Sequence, residues 1–103
     1  MRVTLVQMSM TDSMNENLAK SLCACDKAKD SDLIFFPEIQ LSPFFPQYEK
    51  RDASKYLVTM DSPYVSAFVS KAKEINSCIV PNMYMKIDNK CYDCCVVTTG
   101  TDV

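Results

Sequence analysis

Asp32-Leu33-Ile34-Phe35-Phe36-Pro37-Glu38 is the stretch that decides the fold. Four consecutive apolar residues, Leu33 to Phe36, read as a strand buried on both faces. Pro37 stops it, because a proline has no N–H to give a ladder. Upstream, Val3-Thr4-Leu5-Val6-Gln7-Met8 is a second near-continuous β-prone run, again of the parallel-sheet type. Between the two, Thr11-Asp12-Ser13 makes a turn, and Ser13 with Glu16 fits a capping box. Met14, Leu18, Leu22 and Cys25 then recur at helical spacing, with Lys20, Lys27 and Lys29 turned outward. This helix should end near Asp30-Ser31.

Downstream, the pattern breaks from Glu38 to Met60, a stretch that holds Pro43, Phe44, Phe45, Pro46 and Tyr48. A short helix is expected from about Ala53 to Leu57. A loop of this length inside a compact domain is usually functional. Ser62-Pro63 supplies an N-cap followed by proline at the first helical position. Val65, Phe68, Val69, Ala72 and Ile75 form the apolar stripe of a second helix, closed by Asn76-Ser77. A third strand starts at Cys78-Ile79-Val80 and runs toward Met85, with Pro81 forcing a bulge or an edge position. Asp88-Asn89 suits a hairpin turn. Cys91 to Thr99 is the fourth strand, and Thr99-Gly100-Thr101-Asp102 a closing turn. The order β-α-β-loop-α-β-β implies an α/β fold with a mixed sheet. Its first two strands should be adjacent and parallel, with both helices on one face.

Composition narrows the chemistry. The chain has 103 residues, 48% hydrophobic and 23% charged, which suits one globular domain. Eleven Lys and Arg against thirteen Asp and Glu give a net charge of −2, so the basic stripe of a nucleic-acid binder is missing. No apolar run approaches the ~18 residues of a membrane span. Met1-Arg2 leads straight into a strand rather than a secretory leader, so a cytoplasmic location is expected. There is no His, which removes Ser-His-Asp triads, Cys-His dyads and His-ligated metals. Gly100 is the single glycine, so Gly-rich phosphate loops cannot be built. Catalysis would have to come from carboxylates, Lys, Cys, Tyr or Ser.

Six cysteines raise three readings: free thiols, a metal site or disulfides. On a helix Cys23 and Cys25 point about 200° apart. On a strand Cys91 and Cys95 share one face while Cys94 takes the other. That spacing does not gather four thiolates, and free thiols acting as small hydrophobes fit it best.

Glu38 is the most informative residue. It follows an apolar strand directly, and in open α/β sheets the ligand crevice lies outside the carboxyl ends of the strands. A carboxylate beside apolar walls there has a raised pKa, as a general base requires. The aromatic loop behind it would wall off a pocket, with Phe45 and Tyr48 as candidate substrate-contacting residues. The competing reading is a surface glutamate that merely opens a loop.

These residues resemble the nitrilase superfamily of carbon-nitrogen hydrolases, in its N-terminal part. Asp32-Leu33-Ile34-Phe35-Phe36-Pro37-Glu38 is similar to the family's D-L-I-V-F-P-E signature. Arg2 to Met8 resembles its first strand, and Asn17-Leu18 the start of the core face of its first helix. Cys91-Tyr92-Asp93-Cys94-Cys95-Val96-Val97 falls where it has a Y-N-S strand. Leu41-Ser42-Pro43-Phe44-Phe45 looks most like the amidase and carbamoylputrescine-amidase-like branches. The resemblance implies an α-β-β-α sandwich of two sheets, of which residues 1–103 supply part. It implies a Glu-Lys-Cys triad acting on a small-molecule amide, carbamoyl or nitrile substrate, no cofactor, and a homo-oligomer at full length. Glu38 inherits the general base. The family's Lys and nucleophilic Cys follow later than Val103, and none of the six cysteines here inherits the nucleophile's role. The chain alone is therefore expected to be inactive. Three departures stand out: Tyr84-Met85 where many members carry Y/F-E, Asp30-Ser31-Asp32 where a glycine is usual, and Asp93-Cys94 in place of Asn-Ser. The alternative function is a non-catalytic α/β binding or interaction module using the 40–60 loop; a cysteine-rich metal-binding protein is the third reading.

Overall fold

The computed structural model describes residues 1–37, 40–41 and 56–99. Its elements are β1 (Val3–Leu5), α1 (Met14–Lys27), β2 (Leu33–Phe35), α2 (Pro63–Ile75), β3 (Cys78–Val80), β4 (Asn82–Ile87) and β5 (Lys90–Cys95). β1, β2 and β3 form a parallel sheet in that order, with Val3, Leu33 and Cys78 in register at one end and Leu5, Phe35 and Val80 at the other. β4 and β5 form a separate antiparallel ribbon. Strands of both orientations are present, as a mixed architecture requires, but they are divided between two sheets.

Both helices start where their caps place them. Ser13 Oγ accepts the Glu16 N–H at 3.2 Å, and Ser62 Oγ accepts the Tyr64 N–H at 3.1 Å with Pro63 in the first turn. α1 ends at Lys27 with Ala28 as its C-cap, earlier than Asp30-Ser31. The Ala28 N–H is shared between Ala24 O and Cys25 O, so the last turn tightens and closes the helix. α2 ends on Asn76, whose φ of 53° is left-handed, a conformation asparagine tolerates better than most residues.

The two helices lie side by side on one face of the parallel sheet. Lys71 on α2 bridges to Asp26 on α1 at 2.9 Å, and Tyr64 Oη donates to Asn15 Oδ1 at 2.9 Å. Ile34 and Ile79, at 0% exposure, point into this layer and join Cys25, Val65, Phe68 and Ala72 in the core. The same core takes in Met83, Met85 and Val96 from the hairpin side.

Four expectations need correction. The first strand covers Val3–Leu5 rather than Val3–Met8, because only these residues pair in ladder register with β2. Its double-sided burial is not met: Val3 and Leu5 are 47% and 76% exposed, and Phe35 of β2 is 37% exposed. The run from Cys78 toward Met85 is two strands, not one. Pro81 interrupts it, and the chain exchanges β2 as partner for β5. The last strand stops at Cys95; beyond it Thr98 pairs back with Ile79 through Thr98 N–H to Ile79 O at 2.8 Å and Ile79 N–H to Thr98 O at 3.0 Å. The helix expected near Ala53–Leu57 and the turn at Thr99–Asp102 fall largely outside the described residues.

Candidate active site at the carboxyl ends of the parallel strands

β1, β2 and β3 end together, so their exits converge on one edge of the sheet. Val6 N–H donates to Phe35 O at 2.9 Å and prolongs the β1–β2 contact by one step. Phe36 turns inward and meets Phe68 edge to face, with ring centroids 6.0 Å apart at 65°. Pro37 then emerges at the rim of an open concavity of about 540 Å³, lined by Gln7, Met8 and Ser9 from the β1 exit and by Pro37 itself.

The residue after Pro37 is Glu38. It and the candidate substrate contacts Phe45 and Tyr48 lie outside the described residues.

Just past Glu38 the structure holds a feature that the apolar patterning missed. Gln40 is 0% exposed and ties α1 to β4. Its Nε2 donates to Ser21 Oγ on α1 at 2.9 Å. Its Oε1 accepts the Asn82 N–H of β4 at 2.8 Å, and its own N–H donates to Asn82 O at 3.1 Å. Ser21 Oγ donates to Asn17 O at 2.8 Å. Asn17 Nδ2 donates to Leu41 O and to Thr11 O, both at 2.8 Å, while its Oδ1 accepts Thr11 N–H at 2.8 Å. Among the described residues no buried side-chain nitrogen or oxygen lacks a partner. Such a network rigidifies its surroundings because each unmade bond would leave a desolvated polar group. The sequence signal was present in weak form. Asn17 and Ser21 are polar at i and i+4 beside the Leu18–Leu22 stripe, and Gln40 is a polar residue between Ile39 and Leu41.

Met85 stands where the resemblance leads one to look for a second carboxylate. It is 0% exposed and belongs to the core, and β4 there pairs in parallel with Val58. That position gives the site no charge. The six cysteines are free. Cys23, Cys91 and Cys95 are exposed and Cys25 is buried, as the helical and strand spacings require. Burial pushes the Cys25 thiol up to about 12, with Lys71 opposing and Asp26 adding to the shift. Burial, then the neighbouring Asp93 charge, also raises Cys94. Neither thiol has the lowered pKa of an activated nucleophile. Among the described residues no three His, Cys, Asp or Glu side chains gather to hold a metal ion. No described helix is long and apolar enough to cross a membrane.

Comparison with known proteins places this geometry. The carbon-nitrogen hydrolase family profile matches residues 2–102. A CN-hydrolase superfamily protein of Xanthomonas campestris, solved with an arsenic adduct in its active site, superposes with a TM-score of 0.79 at 18% identity, over 97% of this chain and 37% of that one. An N-terminal amidase superposes at 0.78 and 18% identity, over 97% of this chain and 25% of its own. A carbon-nitrogen hydrolase of Helicobacter pylori G27 gives 0.76 at 14%, over 97% and 36%. The chain thus spans between a quarter and somewhat over a third of the length of these structures. No curated protein matches it. With the family profile covering nearly every residue and the parallel sheet and hairpin superposing on solved members, the chain belongs to the carbon-nitrogen hydrolase family.

Proposed function

We propose that these 103 residues form the N-terminal part of a hydrolase domain that cleaves carbon-nitrogen bonds other than peptide bonds, with Glu38 as its general base. The observation that supports this is the family match across residues 2–102, in which Glu38 is the residue next in sequence after Pro37, with Pro37 following β2. In the proposed reaction Glu38 takes the proton from a cysteine thiol. The thiolate attacks the carbonyl or nitrile carbon while a lysine steadies the developing charge; the C–N bond of an amide then breaks and the amine leaves with the proton Glu38 returns, a nitrile's adduct loses ammonia after adding water, and a further water cleaves the thioester to the acid and the free thiol. Lys and Cys would come from sequence other than residues 1–103. The substrate would be a small amide, N-carbamoyl compound or nitrile, with Phe45 and Tyr48 lining its site. A cytoplasmic location and self-assembly of the complete enzyme belong to the same proposal.

The 103-residue chain by itself should have no turnover, because triad members act as a unit and one surviving member retains little of the rate. The assay uses pure chain with small amides, N-carbamoyl compounds and nitriles. Background rates are expected throughout. Turnover that vanishes in Glu38→Gln would mean that a residue within the chain replaces the nucleophile. In a longer protein carrying this chain, Glu38→Gln should lower kcat by roughly 10²–10⁴-fold, the usual worth of a positioned acid–base group. An unchanged kcat would remove Glu38 from the mechanism.

A further inference from the structure

We propose that the outer edge of β1 is a pairing surface for a second copy of this chain, which adds its own β1 antiparallel across a two-fold axis. The three-stranded sheet has two edges. That of β3 is taken, since Ile79 exchanges two backbone bonds with Thr98. That of β1 is open among the described residues. In a parallel ladder alternate residues bond the neighbouring strand. On β1 these are Arg2, whose O accepts Leu33 N–H at 3.3 Å, then Thr4, in register with Ile34, then Val6, whose N–H donates to Phe35 O at 2.9 Å. The N–H and C=O of Val3 and Leu5 therefore point to the outer edge. No charge or proline within Val3–Leu5 blunts that edge. Beside it lies an open groove of about 500 Å³ between β1 and the end of α1, where Ala24 and Ala28 present only methyl groups. A further strand has room there.

One register uses all four outward groups of each copy. Thr4 sits opposite Thr4 of the second copy, and Val3 opposite its Leu5. Each Val3–Leu5 pair then exchanges both of its N–H to C=O bonds, and the two Thr4 residues form the non-hydrogen-bonded pair between them. A slip of one residue would turn the side chains to the wrong face. A slip of two would set Leu5 against Met1 or Val3 against Gln7, beyond the strand. Val3 and Leu5 share the exposed face away from the helices, so the same register makes them apolar cross-strand pairs and carries that face across both copies. Arg2 is the only charged side chain from Met1 to Met10. Antiparallel pairing puts the two Arg2 residues at opposite ends of the new ladder, each opposite Val6, whereas parallel pairing would set them side by side. The self-matching register and this charge placement favour a second copy over a strand of other sequence.

The test uses the 103-residue chain under reducing conditions, so that its exposed thiols do not cross-link it. Amide hydrogen exchange is followed residue by residue from dilute to concentrated protein. Thr4 and Val6, bonded to β2 within one copy, should stay protected throughout. Val3 and Leu5 should exchange freely when dilute and slow about tenfold once about nine-tenths of the chain is paired, by mass action. In a mixture of ¹³C-labelled and unlabelled chain, Thr4 Hα of one copy should show a nuclear Overhauser contact to Thr4 Hα of the other, because a non-hydrogen-bonded antiparallel pair lies close. Val3→Pro removes an outward N–H without touching the β1–β2 ladder and should abolish the slowing at Leu5. Val3→Thr keeps the N–H and should retain it. The proposal is overturned if Val3 and Leu5 exchange at rates independent of concentration, if the Thr4 contact falls on β5 or on any residue other than Thr4, or if Val3→Pro leaves the slowing intact. A Val3→Pro chain that loses protection at Thr4 and Val6 has unfolded, and the exchange and the Thr4 contact of the unsubstituted chain then decide alone.

Discussion

Cys25 shows how far a single residue can be read. Its place on the inner stripe of α1 follows from spacing with Leu18 and Leu22, and the structure buries it fully while Cys23 stays exposed. Burial raises its thiol from an ordinary 9.0 to about 12. In the unfolded chain the thiol ionises near the ordinary value and in the folded chain it does not. Between these two pH values the folded state therefore binds more protons, and stability falls as pH rises. Thermal unfolding of the chain and of Cys25→Ala should differ most near pH 7–8, where the variant loses packing alone. The gap should narrow from pH 9 upward, since the variant has no thiol to ionise. Parallel curves would place the Cys25 thiol in contact with water. The polar members of the same helix were less legible. Asn17 and Ser21 look like outward positions from polarity alone. Their burial depends on partners at Leu41 and Gln40, 24 and 19 positions away, which periodicity does not see. Glu38 was singled out on local information alone, the adjoining Phe36-Pro37, and it lies outside the described residues.

Elements were legible where their signals were local. Ser13 and Ser62 cap the helices they were expected to cap, and the stripe Val65, Phe68, Ala72 is the buried face of α2. Strand boundaries were less so, because apolar runs continue past the residues that find ladder partners. Pro81 is the sharpest case. Its neighbours on both sides are β-prone, but without an N–H it cannot extend either ladder, and its carbonyl accepts Val96 N–H at 2.9 Å instead. The hairpin that follows turns on Asp88 and Asn89, with φ of 51° and 65°. Two successive left-handed residues are the signature of the turn whose twist matches paired strands. Asn89→Gly should leave the ribbon intact. Asn89→Val should cost about 1–2 kcal/mol, because a β-branched side chain clashes at positive φ. Amide hydrogen exchange is the measurement: β4 and β5 should lose protection in the valine variant while β1–β3 keep theirs. Equal protection in both variants would mean that the turn does not hold the ribbon.

At the scale of the whole molecule, one face of the parallel sheet is packed and the other is covered only at β3, where Val80 is 5% exposed. Ile34 and Ile79 face the helices, whereas Val3, Leu5 and Phe35 face outward with Met1 at 99% exposure beside them. Val3 and Leu5 of β1, with Phe35 of β2, put apolar side chains on the side away from the helices, which suits the two-sheet sandwich the family resemblance implies. Within the described residues only one side of β1 is covered, so the double burial expected of it is not met for want of a covering layer over Val3 and Leu5. A contiguous apolar face of this kind drives association. β1 also sits at the end of the β1-β2-β3 order, so its outer edge has no described strand to pair with. We expect the isolated chain to self-associate as its concentration rises, read as growing mass in light scattering. Leu5→Lys should suppress this. Leu5 is 76% exposed, so the substitution removes little packing, and surface changes of this sort usually stay within about 0.5 kcal/mol. The thermal midpoint of dilute protein should therefore hold while the association falls. Serine in place of Cys91 and Cys95 serves as the control, since these exposed thiols offer a covalent route to the same mass. Association that survives Leu5→Lys but disappears in the double serine variant would move its cause from the sheet face to the thiols of β5.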